Sequence, residues 1–380
     1  MNITELLTLG ISHTRNAVAE ALYLKTNIDL TRPITFHALV NERCNCKCRH
    51  CEYWRQAEYI PELSIEEWKK TLLSIKEFTG SFSVNFSGGE PFIKKGFIDL
   101  LVFCRDHNIR AGVTTNGALL NEQNAANIVA ARPFNINISC DSHLPEVHDY
   151  IRGMNGLFNK ITKGITLLQQ EQAKQKVTVP IIIKPTIMSL NFRALPEIVE
   201  WAMNIGATAI NFQPLGRWTR ETYDELWIEE KDWPELDRSM EKLIAMKRAG
   251  APIMNSEEVL RLVTASFQEK TASPEHMPCR IGLQEFYIRP DGEVKLCFHF
   301  PSIGNTTKQS AKEIWRGPQA KKIREATIEC DKLCLLTCLS HKSLTNKFSQ
   351  ALTILSRQKK TDKKNWHLFI NPDNEDKQPP

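Results

Sequence analysis

The sequence predicts an α/β protein, a partial (β/α)6 TIM-like barrel followed by a smaller, cysteine-rich C-terminal domain. Three observations carry this prediction. Six strand-like runs alternate with helical patterns between residues 33 and 212, chemically unusual residues recur where those runs end, and the last third gathers a second group of cysteines. Right-handed crossovers wind such an alternation into a parallel sheet covered by helices, and six units make an open barrel. At 380 residues the chain exceeds one average domain and has room for a barrel with an appendage.

Taken in order, residues 1–32 read as a helical segment with Leu6, Leu7, Ile11, Val18, Ala21 and Leu22 at roughly helical spacing, packed on the barrel. The apolar run 33–40 is the first strand. Ser64 to Glu67 form a capping box that opens a helix to about residue 78. Further strands, rich in Val, Ile, Phe and Thr, are expected at 82–87, 110–115, 134–140, 177–188 and 207–212, with helices around 95–107, 121–131, 156–173 and 191–205. The barrel core therefore spans 33–215. A mostly helical connector, 216–278, holds Trp218, Trp227 and Trp233, which either face substrate or cover a core. The cysteine-rich domain spans 279–345, and 346–380 reads as a helix and a polar tail.

Composition excludes several classes. Hydrophobic content of 42% and charged content of 24% belong to a globular protein, and no apolar run reaches the length of an integral membrane span. The polar start at Asn2, Thr4 and Glu5 is unlike a secretory signal. Eleven cysteines, an odd number, then read as reduced thiols and metal ligands, which points to the cytoplasm. A net charge of +5 without a basic, aromatic-laced stripe excludes a nucleic-acid groove. Lys359, Lys360, Lys363 and Lys364 belong to the solvated tail.

The chemistry concentrates at strand ends. Cys44, Cys48 and Cys51, spaced C-x3-C-x2-C, follow the first strand. Ser87-Gly88-Gly89-Glu90 ends the second, Thr115-Asn116-Gly117 the third, and Ser139-Cys140-Asp141 the fourth. In parallel α/β folds these carboxyl ends form one rim where ligands bind. Three thiolates on a four-iron cubane leave one iron without a protein ligand, open to a cofactor. Cys46, inside the triplet, competes for ligand spacing and is taken as a bystander.

This triplet resembles the signature of the radical S-adenosylmethionine (radical SAM) superfamily. The resemblance covers 34–212 and implies a 4Fe-4S cluster on Cys44, Cys48 and Cys51, with SAM chelated at the open iron and cleaved reductively to a 5'-deoxyadenosyl radical. It further implies SAM contacts from Gly88, Gly89 and Glu90 to the methionyl ammonium, from Ser139 and Asp141 to the ribose, and from Asn116. Ser139 and Asp141 also suit helix capping, and Asn116 suits a turn. An external electron donor such as flavodoxin or ferredoxin would supply the electron.

In the last third, Cys279, the hairpin-forming Arg289-Pro-Asp-Gly292 and Cys297 precede Cys330, Cys334 and Cys338. This order resembles the SPASM/twitch extension of radical SAM enzymes, over 279–338, and implies one auxiliary 4Fe-4S cluster. About four ligands suffice for a cluster, so one of the five cysteines is spare; four thiolates suit zinc as well. Sulfatase-maturating relatives carry an acidic residue after the G-x4-C cysteine, where this chain has Phe298, so peptidyl serine or cysteine oxidation of that type is disfavoured. His299 is the candidate base, with a structural role as its alternative.

The expected function is a radical SAM enzyme that abstracts hydrogen from a peptide or small-metabolite substrate, with oxidation, cross-linking or epimerisation as outcome. A radical methyl or adenosyl transferase and a non-catalytic iron-sulfur or zinc protein are the alternatives. With 43 residues before Cys44, no recognition domain is expected, and a peptide substrate would need a separate partner or a short recognition segment.

Overall fold

The structure is a computed structural model, and it describes residues 3–55, 59–216, 223–271 and 279–335. Cys338, Trp218 and the expected segment 346–380 lie outside the described residues.

Strands β1 (Thr35–Asn41), β2 (Ser83–Gly88), β3 (Arg110–Thr115), β4 (Asn135–Ile138) and β5 (Ile181–Ile183) pair in parallel in chain order. Beyond them, β6 (Thr186–Ile187) and β8 (Gln213–Pro214) form a separate pair, while β7 (Ala209–Ile210) continues the main sheet beside β5. The sequence runs 177–188 and 207–212 are thus each cut short. The backbone leaves the sheet after Ile183 and after Ile210, and a second two-residue pair forms above.

The C-terminal hairpin joins the same sheet. Strand β9 (Glu285–Ile288) lies parallel to β1, followed by antiparallel β10 (Glu293–Lys295) and β11 (Gly304–Asn305). The Arg289-to-Gly292 turn closes the hairpin, with the Gly292 amide donating to the Arg289 carbonyl at 3.0 Å. Nine strands therefore run in the order β11-β10-β9-β1-β2-β3-β4-β5-β7.

Helix α1 (Ile3–Thr26) precedes β1, and α2 (Ile65–Thr79), α3 (Phe97–Asp106), α4 (Glu122–Ala131), α5 (Pro145–Arg152), α6 (Leu157–Gln175) and α7 (Leu195–Asn204) follow the strands. The described connector adds α8 (Tyr223–Leu226), α9 (Trp233–Arg248), α10 (Glu257–Arg261) and α11 (Val263–Phe267), and α12 (Ala311–Arg316) and α13 (Pro318–Ile328) close the described chain. The Ser64 hydroxyl and Glu67 carboxylate cap α2 reciprocally. Trp227 and Trp233 pack against the core, their indole N–H groups bonded to Phe267 and Ile228 carbonyls.

Helix α1 corrects the sequence expectation. Ile11 and Val18 are 67% and 66% exposed, and the docked face is Asn16, Ala19, Glu20 and Tyr23. Hydrogen bonding decides the orientation. Asn16 bonds the Leu283 carbonyl and the Arg32 amide, and Glu20 accepts from Gln284 at 2.9 Å, so α1 is tied to the segments entering β9 and β1.

Alternation along the strands separates two environments. Phe36, Ala38, Val84, Phe86, Ala111, Val113, Ile136, Ile138, Phe286 and Ile288 point into the helix-covered cores. Their neighbours, His37, Asn85, Thr114, Asn137, Glu285 and Tyr287, face the concave side, and that lumen is polar.

Candidate functional site: two cysteine centres on one sheet

The cysteine loop rests directly on the glycines that end β2. The Gly89 amide donates to the Asn41 carbonyl at 2.9 Å and the Glu90 amide to the Arg43 carbonyl at 2.8 Å, while the Asn41 amide side chain donates to the Glu90 carbonyl at 2.9 Å. Gly88 has φ +128°, and a Cβ there would stand 2.2 Å from the Asn41 oxygen; at Gly89 it would stand 2.1 Å from the Arg43 oxygen. Only glycine lets the two backbones approach so closely.

The other rim residues brace this loop. Asn116 donates to Asn45 at 2.7 Å and to the Cys44 sulfur at 3.6 Å, and its carbonyl oxygen accepts from the Ala118 amide. Glu90 is fully buried and accepts from Thr115 Oγ1 (2.8 Å), the Asn116 amide (2.8 Å) and the Phe92 amide (3.2 Å). Burial raises its pKa to about 7 against these bonds. Asp141 is also fully buried. Its carboxylate accepts twice from Arg152, at 2.6 and 3.0 Å, and from the Thr186 amide at 2.9 Å. Burial, the largest single influence, pushes this carboxyl up, but Arg152, His50 and His148 together outweigh it and the net shift is downward. Ser139 is half-buried at the end of β4, its amide donating to the Thr115 carbonyl.

Gly89, Glu90 and Asn116 thus touch the cysteine loop directly, Asp141 reaches it through Arg152, and Ser139 stands at the neighbouring strand end. Glu90, Asn116 and Asp141, however, spend their polar atoms on the protein. Arg152 is the member that sequence reasoning missed. Its guanidinium reaches the Cys48 sulfur at 3.9 Å while gripping Asp141, and its signal was the arginine four residues after His148, which itself accepts from the Asp141 amide.

Cys46 sits between its neighbours, its thiol hydrogen-bonded to both Cys44 and Cys48. These bonds, with burial, push Cys46 upward and hold it protonated. The same bonds lower Cys44, and lower Cys48 to about 7 with help from Arg152. Burial raises Cys51 to about 12.

The second centre draws on distant positions. Cys279, Cys297 and Cys334 pack together with Ile281, Phe298 and Phe300, and the charges of Cys330 and Cys297 both act on Cys279. Burial raises Cys279 to about 11. His299 is largely exposed on the chain leaving β10, beside this centre, and the partial burial of its ring, with the charge of Lys332, lowers its pKa. The two centres face each other across an aromatic contact: the Tyr53 and Tyr287 hydroxyls are 3.2 Å apart, and Tyr287 packs on Phe298 with centroids 4.4 Å apart.

The Radical SAM superfamily profile matches residues 39–189, and the SPASM iron-sulfur cluster-binding profile matches residues 279–339. The chain belongs to the radical SAM superfamily. Fe-coproporphyrin III synthase of Methanosarcina barkeri is 30% identical over 217 residues, 56% of this chain, which spans only 52% of that protein's length. PqqA peptide cyclase of Rhodopseudomonas palustris is 25% identical over 300 residues, covering 76% of this chain and 74% of that one. Streptococcus suis SuiB bound to precursor peptide SuiA shares the fold, with a TM-score of 0.63 at 16% identity over 80% of this chain and 69% of that one.

The first matched domain is of the kind that binds a 4Fe-4S cluster with SAM, and the second of the kind that binds auxiliary iron-sulfur clusters. The chain's residues fit these groups. Beyond the three thiols in one loop, the Cys46 amide (3.4 Å), Asn116 and Arg152 all direct N–H groups at the sulfurs of Cys44 and Cys48, as thiolate charge requires. Among the described residues no three His, Cys, Asp or Glu side chains converge as the ligands of a single ion would. Thiolates of a cubane each hold a different iron and so stand farther apart. Among the described residues no helix is long and apolar enough to cross a membrane.

Proposed function

We propose that the protein cleaves SAM reductively and abstracts hydrogen from a peptide or small metabolite held below the rim, leading to oxidation, cross-linking or epimerisation. The observation that carries this reading is the cysteine loop itself: Cys44, Cys48 and Cys51 are presented together, braced from the ends of β2 and β3 and from α5, over a polar lumen. The cluster, when bound, supplies the electron that cleaves SAM. The chain's own residues hold the loop at its height above the sheet (Gly88, Gly89), direct N–H groups to its sulfurs (Asn116, Arg152) and line the chamber beneath (Asn85, Thr114, Asn137). Ser139 and the rim carbonyls at Gly88, Gly89 and Glu90 are the proposed SAM contacts, with Asp141 acting through Arg152.

The peptide option is supported by the name of the PqqA peptide cyclase. An external flavodoxin or ferredoxin is the proposed electron donor, and the ten cysteines among the described residues, all unpaired with one another, suit the cytoplasm. Anaerobically reconstituted protein reduced in the presence of SAM should release 5'-deoxyadenosine. Intact SAM after prolonged reduction, with the cluster present by absorbance, would refute the proposal.

A further inference from the structure

A histidine and a carboxylate stand together in the lumen, outside both cysteine centres. His37 Nδ1 lies 2.6 Å from Glu285 Oε1, across the pairing of β1 with β9. The Glu285 side chain is fully buried and that of His37 is 13% exposed. A carboxylate so buried holds its partner nitrogen as a donor. With Nδ1–H committed to Glu285, the imidazole presents Nε2 with a free lone pair, the orientation a carboxylate imposes on a basic histidine.

The surroundings of this pair are polar and in register. His37 is paired with Asn85 on β2 and with Tyr287 on β9. Asn85 donates to Thr114 at 3.1 Å and accepts from Asn137 at 3.0 Å, so amide and hydroxyl groups from three adjacent strands form one continuous wall. The titratable groups facing His37 are Glu285 and Tyr287, the latter hydrogen-bonded to Tyr53 of the cysteine loop's continuation. Strand β2 contributes only the neutral amide. A wall of this composition suits a substrate rich in hydrogen-bonding groups.

We propose that His37, held by Glu285, is the proton acceptor of the reaction and faces a substrate whose reacting carbon carries a hydroxyl or an amine. The inference rests on the radical SAM reading above. In this step the C–H hydrogen atom leaves with the adenosyl group of cleaved SAM as 5'-deoxyadenosine. The auxiliary iron-sulfur cluster that Cys279, Cys297, Cys330 and Cys334 would hold would take the one further electron that the substrate gives up. The O–H or N–H proton passes to Nε2 of His37, which becomes an imidazolium paired with Glu285, and the carbon forms a double bond to oxygen or nitrogen. His299, exposed beside the second centre, lies outside this wall.

The test uses the full-length, cluster-loaded protein and diethyl pyrocarbonate, which acylates unprotonated, reachable imidazoles, with modified residues assigned by peptide mass spectrometry. His37 should react, as should the exposed His299, while His148, fully buried and engaged at Nδ1 by the Asp141 amide, should not. Saturating SAM should slow the reaction at His37 several-fold and leave His299 unchanged. Glu285→Gln, whose amide donates to Nδ1 and moves the proton to Nε2, should slow His37 several-fold without SAM. An inert His37 in wild-type protein beside a consumed His299 would show a sealed structural pair and overturn the proposal. So would a His37 rate indifferent both to SAM and to Glu285→Gln. The 5'-deoxyadenosine released by the same wild-type preparation separates the two readings: none sinks the radical SAM reading, whereas release with unreactive His37 sinks only the proton acceptor.

Discussion

The two cysteine centres lie on one sheet but are built in opposite ways. The first takes its three thiols from a single loop of eight residues, 44–51, and braces them from the ends of β2, β3 and the helix after β4. The second collects Cys279, Cys297, Cys330 and Cys334 from both sides of a hairpin and from beyond α13. A local site can leave a coordination position open, because the loop is held by hydrogen bonds whether or not metal is present. The dispersed site ties together segments more than fifty residues apart in sequence, so metal there also closes a chain loop and restricts the unfolded state. On the proposed function, this contrast suits chemistry at the first and support or electron transfer at the second.

The severest way to break this comparison is to remove the local ligands. Cys44, Cys48 and Cys51 changed together to alanine should abolish 5'-deoxyadenosine formation while about four irons per chain remain on the second centre. Iron analysis with chromatography of the SAM products checks both. A variant that loses all iron would show that the centres are not independent, and one that still cleaves SAM would remove the first from the chemistry.

Next in size is the brace. Removing one partner of a buried ion pair leaves the other charge uncompensated, a loss of roughly 3–5 kcal/mol. Arg152→Ala strands Asp141 and removes a donor from Cys48, so denaturant unfolding should show that loss, with weakened iron retention at the first centre alone. Equal stability to wild type would mean that the pair is dispensable.

Most of this architecture was legible because it is local. The strand runs that end shortly before Cys44, at Gly88, at Thr115 and beside Ser139, the capping box at Ser64 and the hairpin at Gly292 each depend on neighbours in sequence. What escaped prediction depends on distant partners. Helix α1 presents a polar stripe because Asn16 and Glu20 meet Leu283 and Gln284, about 265 residues away, and no periodicity in the helix encodes that. The commitment of Asp141 to Arg152, and of Glu90 to Thr115 and Asn116, likewise became visible only when the strands were side by side. The polar lumen was hidden for a related reason. His37 and Asn85 interrupt apolar runs singly, and only sheet register lines them up.

Glu90 offers a pH test of the rim. Its folded pKa of about 7 lies above the ordinary value of 4.5, so the folded state keeps its proton after the unfolded chain has lost it. The associated stability is fully present below pH 4.5 and is lost as pH rises to about 7. At about 1.4 kcal/mol per pKa unit the loss amounts to at most ~3.5 kcal/mol. Stability measured across that window should fall more steeply in wild type than in Glu90→Gln; parallel curves would show that the carboxyl is not the titrating group.

Overpacking the loop contact should cost somewhat less. Gly89→Ala forces a Cβ against the Arg43 carbonyl, and such intrusions typically cost 1–3 kcal/mol. Because the displaced backbone carries Cys44, SAM cleavage should fall further than global stability does. Proportionate losses in the two would make the glycine a folding residue with no special relation to the cysteine loop.

The smallest expected effect isolates SAM contact from scaffolding. Among the polar rim residues, Glu90, Asn116 and Asp141 are engaged with the protein, so replacing any of them confounds binding with structure. Ser139 is different: its backbone amide secures β4 to Thr115, and that bond survives removal of the hydroxyl. A neutral hydrogen bond contributes about 0.5–1.5 kcal/mol, so Ser139→Ala should weaken SAM binding by that amount at unchanged iron content and stability. Calorimetric titration of SAM into reconstituted protein measures it. Unaltered affinity would place the ribose elsewhere on the rim, whereas a loss accompanied by lower stability would mean that Ser139, too, belongs to the brace and that the first centre has no rim residue devoted to SAM alone.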